Sequence, residues 1–420
     1  MKTKLAQFPA KPLSRLKILW QLHQTKAKLQ ERRVNYNLGW LDTPPRPLAV
    51  AAYKYLLSQN PNHLGNWSTP QSQPWATQEL EQEVIKKIIH LYRGDQSQLE
   101  GYVTSGATEA NLYSAWAGRK YLERFVHSNK ICLLLTDLTH YSLKKVASII
   151  GVPTFTIPLS PRNWGLSTHG LNQSTKRLYQ QGFKAFLLPL TLGYSLTGTS
   201  DDILACLKTI LKLKRSLPGG HFFVWIDAAL NGLVLPFVQK EFAPFASSLV
   251  QTFVVDYHKF GQVPYPAGIV LYRKALRQLI EQEIDYLPET DSTVSGSRPG
   301  VAAAAIWTVM HSLGKEGYRR LTQSCLANKK LFLQLIKASS EKIKIVTNKN
   351  SLACAIIFGE RKAQKLPPAL EEKYGLYPTM KKFYFYSKTK QEYILYKFYF
   401  LPHVTRRLIR EFVHDLNQPY

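Results

Sequence analysis

Four short apolar runs constrain this chain more than any other feature. Ile131–Thr136, Lys184–Leu190, Phe222–Asp227 and Thr252–Asp256 are nearly continuous in apolar residues, and stretches of helical character separate them. A strand with one wet face alternates apolar and polar side chains, so unbroken runs of this length read as strands covered on both faces. Such strands alternating with helices predict an α/β domain on a mainly parallel sheet. Upstream, Leu80, Val84, Ile88 and Leu91 recur at helical period across Glu79–Tyr92.

Beyond about residue 300 the pattern changes. Helices are expected over Val301–Leu313 and Lys315–Ser339, then strands near Lys344–Val346 and Leu352–Phe358. An aromatic-rich stretch, Phe383–Phe400, precedes a closing helix near Val404–Leu416. This reads as a smaller α+β domain. At 420 residues the chain exceeds what one small core usually organises. The expected division is an N-terminal segment 1–75, a large domain 76–290 and a small domain 291–420. Lys381–Tyr386 and Tyr393–Phe400 interleave Lys with Tyr and Phe, a pattern that can stack nucleic-acid bases. Antiparallel strands with one wet face are the simpler reading, so a nucleic-acid partner is not expected.

Lys and Arg number 55 against 28 Asp and Glu, a net charge of +27. Such a surface attracts anions, among them nucleic acid, anionic lipid and acidic metabolites. The basic residues are spread along the whole chain, which fits a uniformly solvated surface, and contact with a membrane surface has no other support. No run reaches the roughly 18–20 apolar residues of a membrane span. The start, Met1–Arg33, is basic with one apolar patch, Leu16–Trp20, and lacks the features of a secretory signal. Cys132, Cys206, Cys325 and Cys354 form no C-x-x-C pair and no metal-ligand spacing, so a reducing cytoplasm and no metal site are expected.

Ligands of open α/β sheets sit beyond the carboxyl ends of the strands. The first run here is followed by Asp137-Leu138-Thr139-His140-Tyr141-Ser142, and the second by Thr191–Gly198, which includes Ser195. The third ends Asp227-Ala228-Ala229 and the fourth Asp256-Tyr257-His258-Lys259. A histidine, a hydroxyl-rich turn, a carboxylate and a lysine therefore converge on one edge. Upstream, Thr104-Ser105-Gly106-Ala107-Thr108-Glu109-Ala110-Asn111 is a small-residue turn opening a helix, suited to a phosphate. It is neither a Walker loop nor a G-x-G-x-x-G fingerprint.

The ordered set T-S-G-A-T-E-A-N, T-H-Y-S, D-A-A and D-x-H-K resembles the pyridoxal-phosphate-dependent group II amino-acid decarboxylases. These have the aspartate-aminotransferase-like fold type I and are related to histidine, tyrosine and aromatic amino-acid decarboxylases and to sphingosine-phosphate lyase. The resemblance extends through Thr293–Gly300, Trp307, Leu313–Tyr318 and Leu401–Val404, roughly residues 60 to 420. It implies a large domain with a mainly parallel sheet flanked by helices, a smaller C-terminal α+β domain, and pyridoxal 5'-phosphate as cofactor. It also implies a homodimer with a shared site and decarboxylation of an L-amino acid, aromatic or histidine.

Residue by residue, the resemblance implies that Lys259 forms the internal aldimine and Asp227 pairs with the pyridine nitrogen. His140 stacks on one ring face and Ala229 packs on the other. Ser105, Ala107, Thr108 and His258 hold the phosphate, and Ser195 places a hydroxyl nearby. Ser297 can reach a phosphate across the dimer interface. Tyr286 is the candidate acid that reprotonates the α-carbon. His63 and Trp67 resemble a segment lining the substrate pocket, while Arg298 either binds a carboxylate or braces its loop. Lysine suits the first role because its amine can be made neutral by its surroundings.

Two positions depart from parts of the family. Asp256 stands where some members have Ser or Asn; a carboxylate there would repel a phosphate, so it is expected to point away or accept backbone N–H bonds. Pro299 gives G-S-R-P-G, which is similar to sphingosine-phosphate lyase and keeps an aldehyde-lyase as the alternative. Val263–Gly268 looks more like tyrosine-type decarboxylases.

Overall fold

The computed structural model describes residues 12–34, 38–41, 43–68, 75–285, 290–339, 343–358, 365–386 and 390–418. A seven-stranded sheet organises residues 99–273. From one edge its order is Leu99–Thr104, Gly268–Arg273, Val250–Asp256, His221–Asp227, Ala185–Thr191, Ile131–Leu135 and Thr154–Thr156. The last five of these are mutually parallel, whereas Gly268–Arg273 runs antiparallel to both of its neighbours. Six strands therefore point one way, and their carboxyl ends form one rim.

The unbroken apolar runs have the cause expected of them. Successive side chains of a strand point to opposite faces. Cys132, Leu134, Phe186, Leu188, Val224, Ile226, Phe253 and Val255 enter one core, while Ile131, Leu133, Leu187, Phe223, Trp225 and Val254 enter another. Helix Ala107–Glu123 covers the second face through Ala110, Tyr113, Ala117 and Leu122. It lies close to the sheet because residue 118 is glycine: a Cβ there would sit 2.6 Å from the Phe223 ring and 2.7 Å from Leu187.

Three strands of this sheet escape the sequence reading, Leu99–Thr104, Gly268–Arg273 and Thr154–Thr156. The first carries Glu100 and Gly101 inside a fully buried segment. Burial of the Glu100 carboxyl pushes its pKa up, against the partial relief of Arg277 3.4 Å away. No apolar run announces such an edge strand, and only its pairing with Gly268–Arg273 makes it one.

The C-terminal part holds a four-stranded antiparallel sheet ordered Ile343–Thr347, Ala353–Phe358, Gln391–Tyr399, Thr379–Phe383. The Lys- and Tyr-rich stretches pair with each other antiparallel, Lys381 opposite Tyr393. Between the two sheets runs one helical segment, Gly300–Ser339, interrupted at Gly314 with φ 57° and ψ −177°. The break falls between the two helices predicted there. An N-terminal helix, Arg15–Val34, exposes Leu16, Leu19, Trp20 and Leu22. Among the described residues no helix is long and apolar enough to cross a membrane. All four cysteines are buried and unpaired.

Candidate active site

The rim at the carboxyl ends collects the residues singled out above. Thr104 leads from its strand into Ser105 and Gly106, and Ala107 begins the helix. Gly106 has φ 140°, which side chains rarely adopt, and a Cβ there would lie 2.9 Å from the His258 ring. The turn therefore needs glycine on two counts. Ser105 and Thr108 are exposed beside it, and the Glu109 carboxylate accepts the Ser105 N–H at 2.7 Å.

Asp227, the last residue of its strand, is 6% exposed. Its Oδ2 accepts from the Asn111 side-chain amide at 2.9 Å and its Oδ1 from the Ala229 N–H at 3.1 Å. The Asn111 carbonyl in turn accepts from the Trp225 indole at 2.8 Å. Trp225 and Asp227 are two residues apart on one strand and so share a face. Asn111, one turn inside the helix, meets both. The sequence motif contained Asn111 but gave it no role; the signal was its position on the helix face that follows Ala107. We expect Asn111→Ala to leave the Asp227 oxygen and the indole N–H without partners, costing about 1–3 kcal/mol of stability. Urea denaturation would measure it, and an unchanged midpoint would count against this network.

Asp256 and Lys259 occupy the neighbouring strand end. Asp256 accepts the Ala107 N–H at 2.6 Å through Oδ1, while Oδ2 lies 2.6 Å from the Lys259 amine and 3.5 Å from His258 Nε2. The carboxylate accepts a backbone N–H, as expected from sequence. His258 Nδ1 accepts the Ala267 N–H at 3.4 Å and its ring stacks on Tyr265, centroids 4.1 Å apart. His140, on the loop after Ile131–Leu135, is anchored by Ser142 Oγ 2.8 Å from its Nδ1. Its imidazole keeps solvent access at the mouth of the crevice. Partial desolvation there lowers its pKa, the Lys259 charge adds to that, and Asp227 and Asp256 oppose it. His140, Asp227 and Lys259 follow strands of one parallel set and so stand on the same rim.

The hydroxyl-rich turn is held from below. Asp201 accepts the Tyr194 hydroxyl at 2.8 Å and the Thr191 N–H at 2.7 Å. The Ser195 carbonyl accepts the Tyr399 hydroxyl at 2.7 Å, tying this turn to the C-terminal sheet. Ser297 lies apart on a two-stranded ribbon, Asn62–Leu64 with Ser297–Pro299, where its hydroxyl accepts from Asn62 at 3.2 Å.

His63 and Arg298 have partners other than a substrate. Glu81, fully buried, takes Arg298 Nη1 at 2.5 Å on Oε1 and lies 2.9 Å from His63 Nδ1 through Oε2. Arg298 also donates to the carbonyls of Val103 at 2.9 Å and Gly65 at 2.7 Å. His63 Nε2 is 2.8 Å from Thr77 Oγ1. Burial alone would push the Glu81 carboxyl up, but Arg298 and His63 outweigh it and hold the group at about 2. Of the two roles open to Arg298, the contacts are those of a brace. Trp67 donates its indole N–H to the Gly101 carbonyl at 2.9 Å. Glu81 went unnoticed in the sequence because it sits within an ordinary amphipathic helix. Tyr286 lies outside the described residues.

The chemistry of this crevice can be matched against a phosphorylated aldehyde on a pyridine ring. An amine stands at one strand end and a carboxylate at the next. A glycine turn sets the helix start between two exposed hydroxyls, its Ala107 N–H held by Asp256, and an imidazole overhangs the mouth. The residues fit such a group.

Comparison with known proteins decides the matter. Residues 56–359 match the pyridoxal-dependent decarboxylase conserved domain. The chain belongs to the pyridoxal-dependent decarboxylase family. It is an amino-acid decarboxylase of fold type I whose cofactor is pyridoxal 5'-phosphate. A tryptophan decarboxylase of Clostridium sporogenes is 30% identical over 267 residues, spanning 62% of this chain and 63% of that protein. An L-aspartate/L-glutamate decarboxylase of Pyrococcus horikoshii is 27% identical over 98% of this chain and 99% of its own. L-methionine decarboxylase from Streptomyces sp. 590 superposes with a TM-score of 0.84 at 17% identity, covering 98% of this chain and 96% of that one, and attests the fold.

Proposed function

We propose that this decarboxylase acts on an aromatic L-amino acid or histidine, releasing the α-carboxylate as carbon dioxide and leaving the amine. The observation that carries the site assignment is the position of Lys259, Asp227 and His140 after parallel strands that end at one rim. Bound pyridoxal phosphate supplies an electron sink for the carbon that loses its carboxylate. Lys259 would be the amine that holds the aldehyde. Asp227, fixed by Asn111 and the Ala229 N–H, would pair with the ring nitrogen and favour its protonated form. His140 and Ala229 would pack against the ring, and Ser195 would offer a hydroxyl near it. Ser105, Ala107, Thr108 and His258 would hold the phosphate, where the positive end of the helix favours negative charge.

Tyr286 delivers the proton that replaces the carboxylate at the α-carbon. Trp67 borders the substrate side chain, while His63 and Arg298 act through Glu81 by fixing the strand that ends at Thr104. We extend the reading to a cytoplasmic homodimer in which Ser297 reaches toward the neighbouring subunit's crevice. Relatives named for tryptophan and histidine support the side-chain class. The aldehyde-lyase alternative drew on G-S-R-P-G, and the arginine of that motif is spent on Glu81 rather than left for a phosphate.

The test is a screen of the cofactor-loaded enzyme against the twenty standard amino acids, scoring carbon dioxide and amine. Tryptophan, tyrosine, phenylalanine or histidine should be turned over. Turnover confined to aspartate or glutamate would overturn the side-chain class. Aldehyde release from a phosphorylated amino alcohol, without carbon dioxide from any amino acid, would overturn the reaction.

A further inference from the structure

We propose that Asp256 controls capture of the cofactor, because one carboxylate holds both the Lys259 amine and the Ala107 N–H that a phosphorylated aldehyde requires. The inference rests on the reading of Lys259 as the anchoring amine. Asp256 is 3% exposed, and its two oxygens divide the work: Oδ1 on the Ala107 N–H at 2.6 Å, Oδ2 on the lysine amine at 2.6 Å. Asp227, the other carboxylate of the rim, spends its oxygens on Asn111 and Ala229. The amine is thus committed to the residue three positions before it.

Two obstacles to capture follow from that geometry. An amine held 2.6 Å from a carboxylate must leave that contact before it can approach an aldehyde. A carboxylate seated on the first N–H of the helix also repels an arriving phosphate dianion from that place. The other ionisable groups facing the amine are His258 on its own segment, His140 on the loop after Ile131–Leu135, Asp227 on the adjacent strand and Glu109 at the helix start. Asp256 alone among them lies within ion-pair distance of the amine.

Capture must break both contacts of this carboxylate. The lysine nitrogen leaves Asp256, 2.6 Å away, to form its bond to the aldehyde carbon. Two of the three ammonium protons depart with the aldehyde oxygen as water, and the third stays on the nitrogen. The phosphate in turn competes with Asp256 for the Ala107 N–H. Cofactor capture and release of these two contacts are coupled.

The experiment compares wild type with Asp256→Asn, whose amide oxygen can still accept the Ala107 N–H. Both are stripped of cofactor and confirmed folded by thermal denaturation. Three quantities are read: modification of Lys259 by an amine-reactive reagent at pH 7, located by peptide mass spectrometry; binding of inorganic phosphate by calorimetry; and the rate at which the visible band of bound pyridoxal phosphate appears in stopped flow. Losing a hydrogen bond to a charged partner should make Lys259 modification and cofactor capture each about tenfold faster, and phosphate should bind more tightly. Capture no faster than wild type, or unchanged Lys259 reactivity, would overturn the proposal. Asp256→Ser, which also removes the charge, serves if the asparagine variant does not fold. A wild type that takes up no cofactor, or a band that survives Lys259→Ala, would instead overturn the reading on which this inference rests.

Discussion

Lys259→Ala should bring decarboxylation down by on the order of 10⁴-fold or more, the scale on which removing a covalent catalytic group acts. It should also leave a protein that loses its visible absorption on desalting. Lys259 stands where both effects converge. Its amine lies at the rim, 18% exposed, close enough to a ligand to react and enclosed enough to be directed by Asp256 and His140. The substitution also leaves Asp256, 3% exposed, without the cation 2.6 Å away, so the thermal midpoint should fall and the spectra are read well below it. Spectra before and after gel filtration, with turnover of the best substrate, are the measurements. A variant that keeps the band through filtration would place the anchoring amine elsewhere.

Glu81→Gln should cost about 3–5 kcal/mol of folding stability, the usual consequence of leaving one member of a buried ion pair uncompensated. The glutamine would leave the Arg298 guanidinium, 5% exposed, without a counter-charge. The loss would spread to the site, since Glu81 also accepts the Val103 N–H at 2.7 Å and so holds the strand that feeds the glycine turn. The pH dependence has a definite sign. A carboxyl at about 2 in the fold against 4.5 when free contributes stability that is complete above pH 4.5 and is lost as pH falls from 4.5 toward 2. Wild type should weaken through that window, whereas Glu81→Gln should start lower and change less across it. Urea midpoints at several acid pH values would decide. Parallel pH profiles for the two proteins would show that the Glu81 charge does not support the fold.

Much of the fold was legible because the forces that set it are local and repetitive. Strands covered on both faces need unbroken apolar sequence, and three of the four runs entered the sheet as Ala185–Thr191, His221–Asp227 and Val250–Asp256, the other as Ile131–Leu135. Leu99–Thr104 and Thr154–Thr156 carry too little apolar sequence to announce a strand, whereas Gly268–Arg273 holds an apolar run, Ile269–Tyr272, as continuous as the four read as strands.

The sequence by itself determined four parallel strands of the sheet, the rim on which Lys259, Asp227 and His140 stand, and the family, since strand ends carry motifs in a fixed order. Only the tertiary structure decided how charge is shared there. It gave Asp227 to Asn111, Lys259 to Asp256, and both Arg298 and His63 to Glu81. Pairings of this kind join residues as far as 217 positions apart. They depend on a few tenths of an ångström between donors and acceptors shielded from water, a distance that no pattern of residue types encodes.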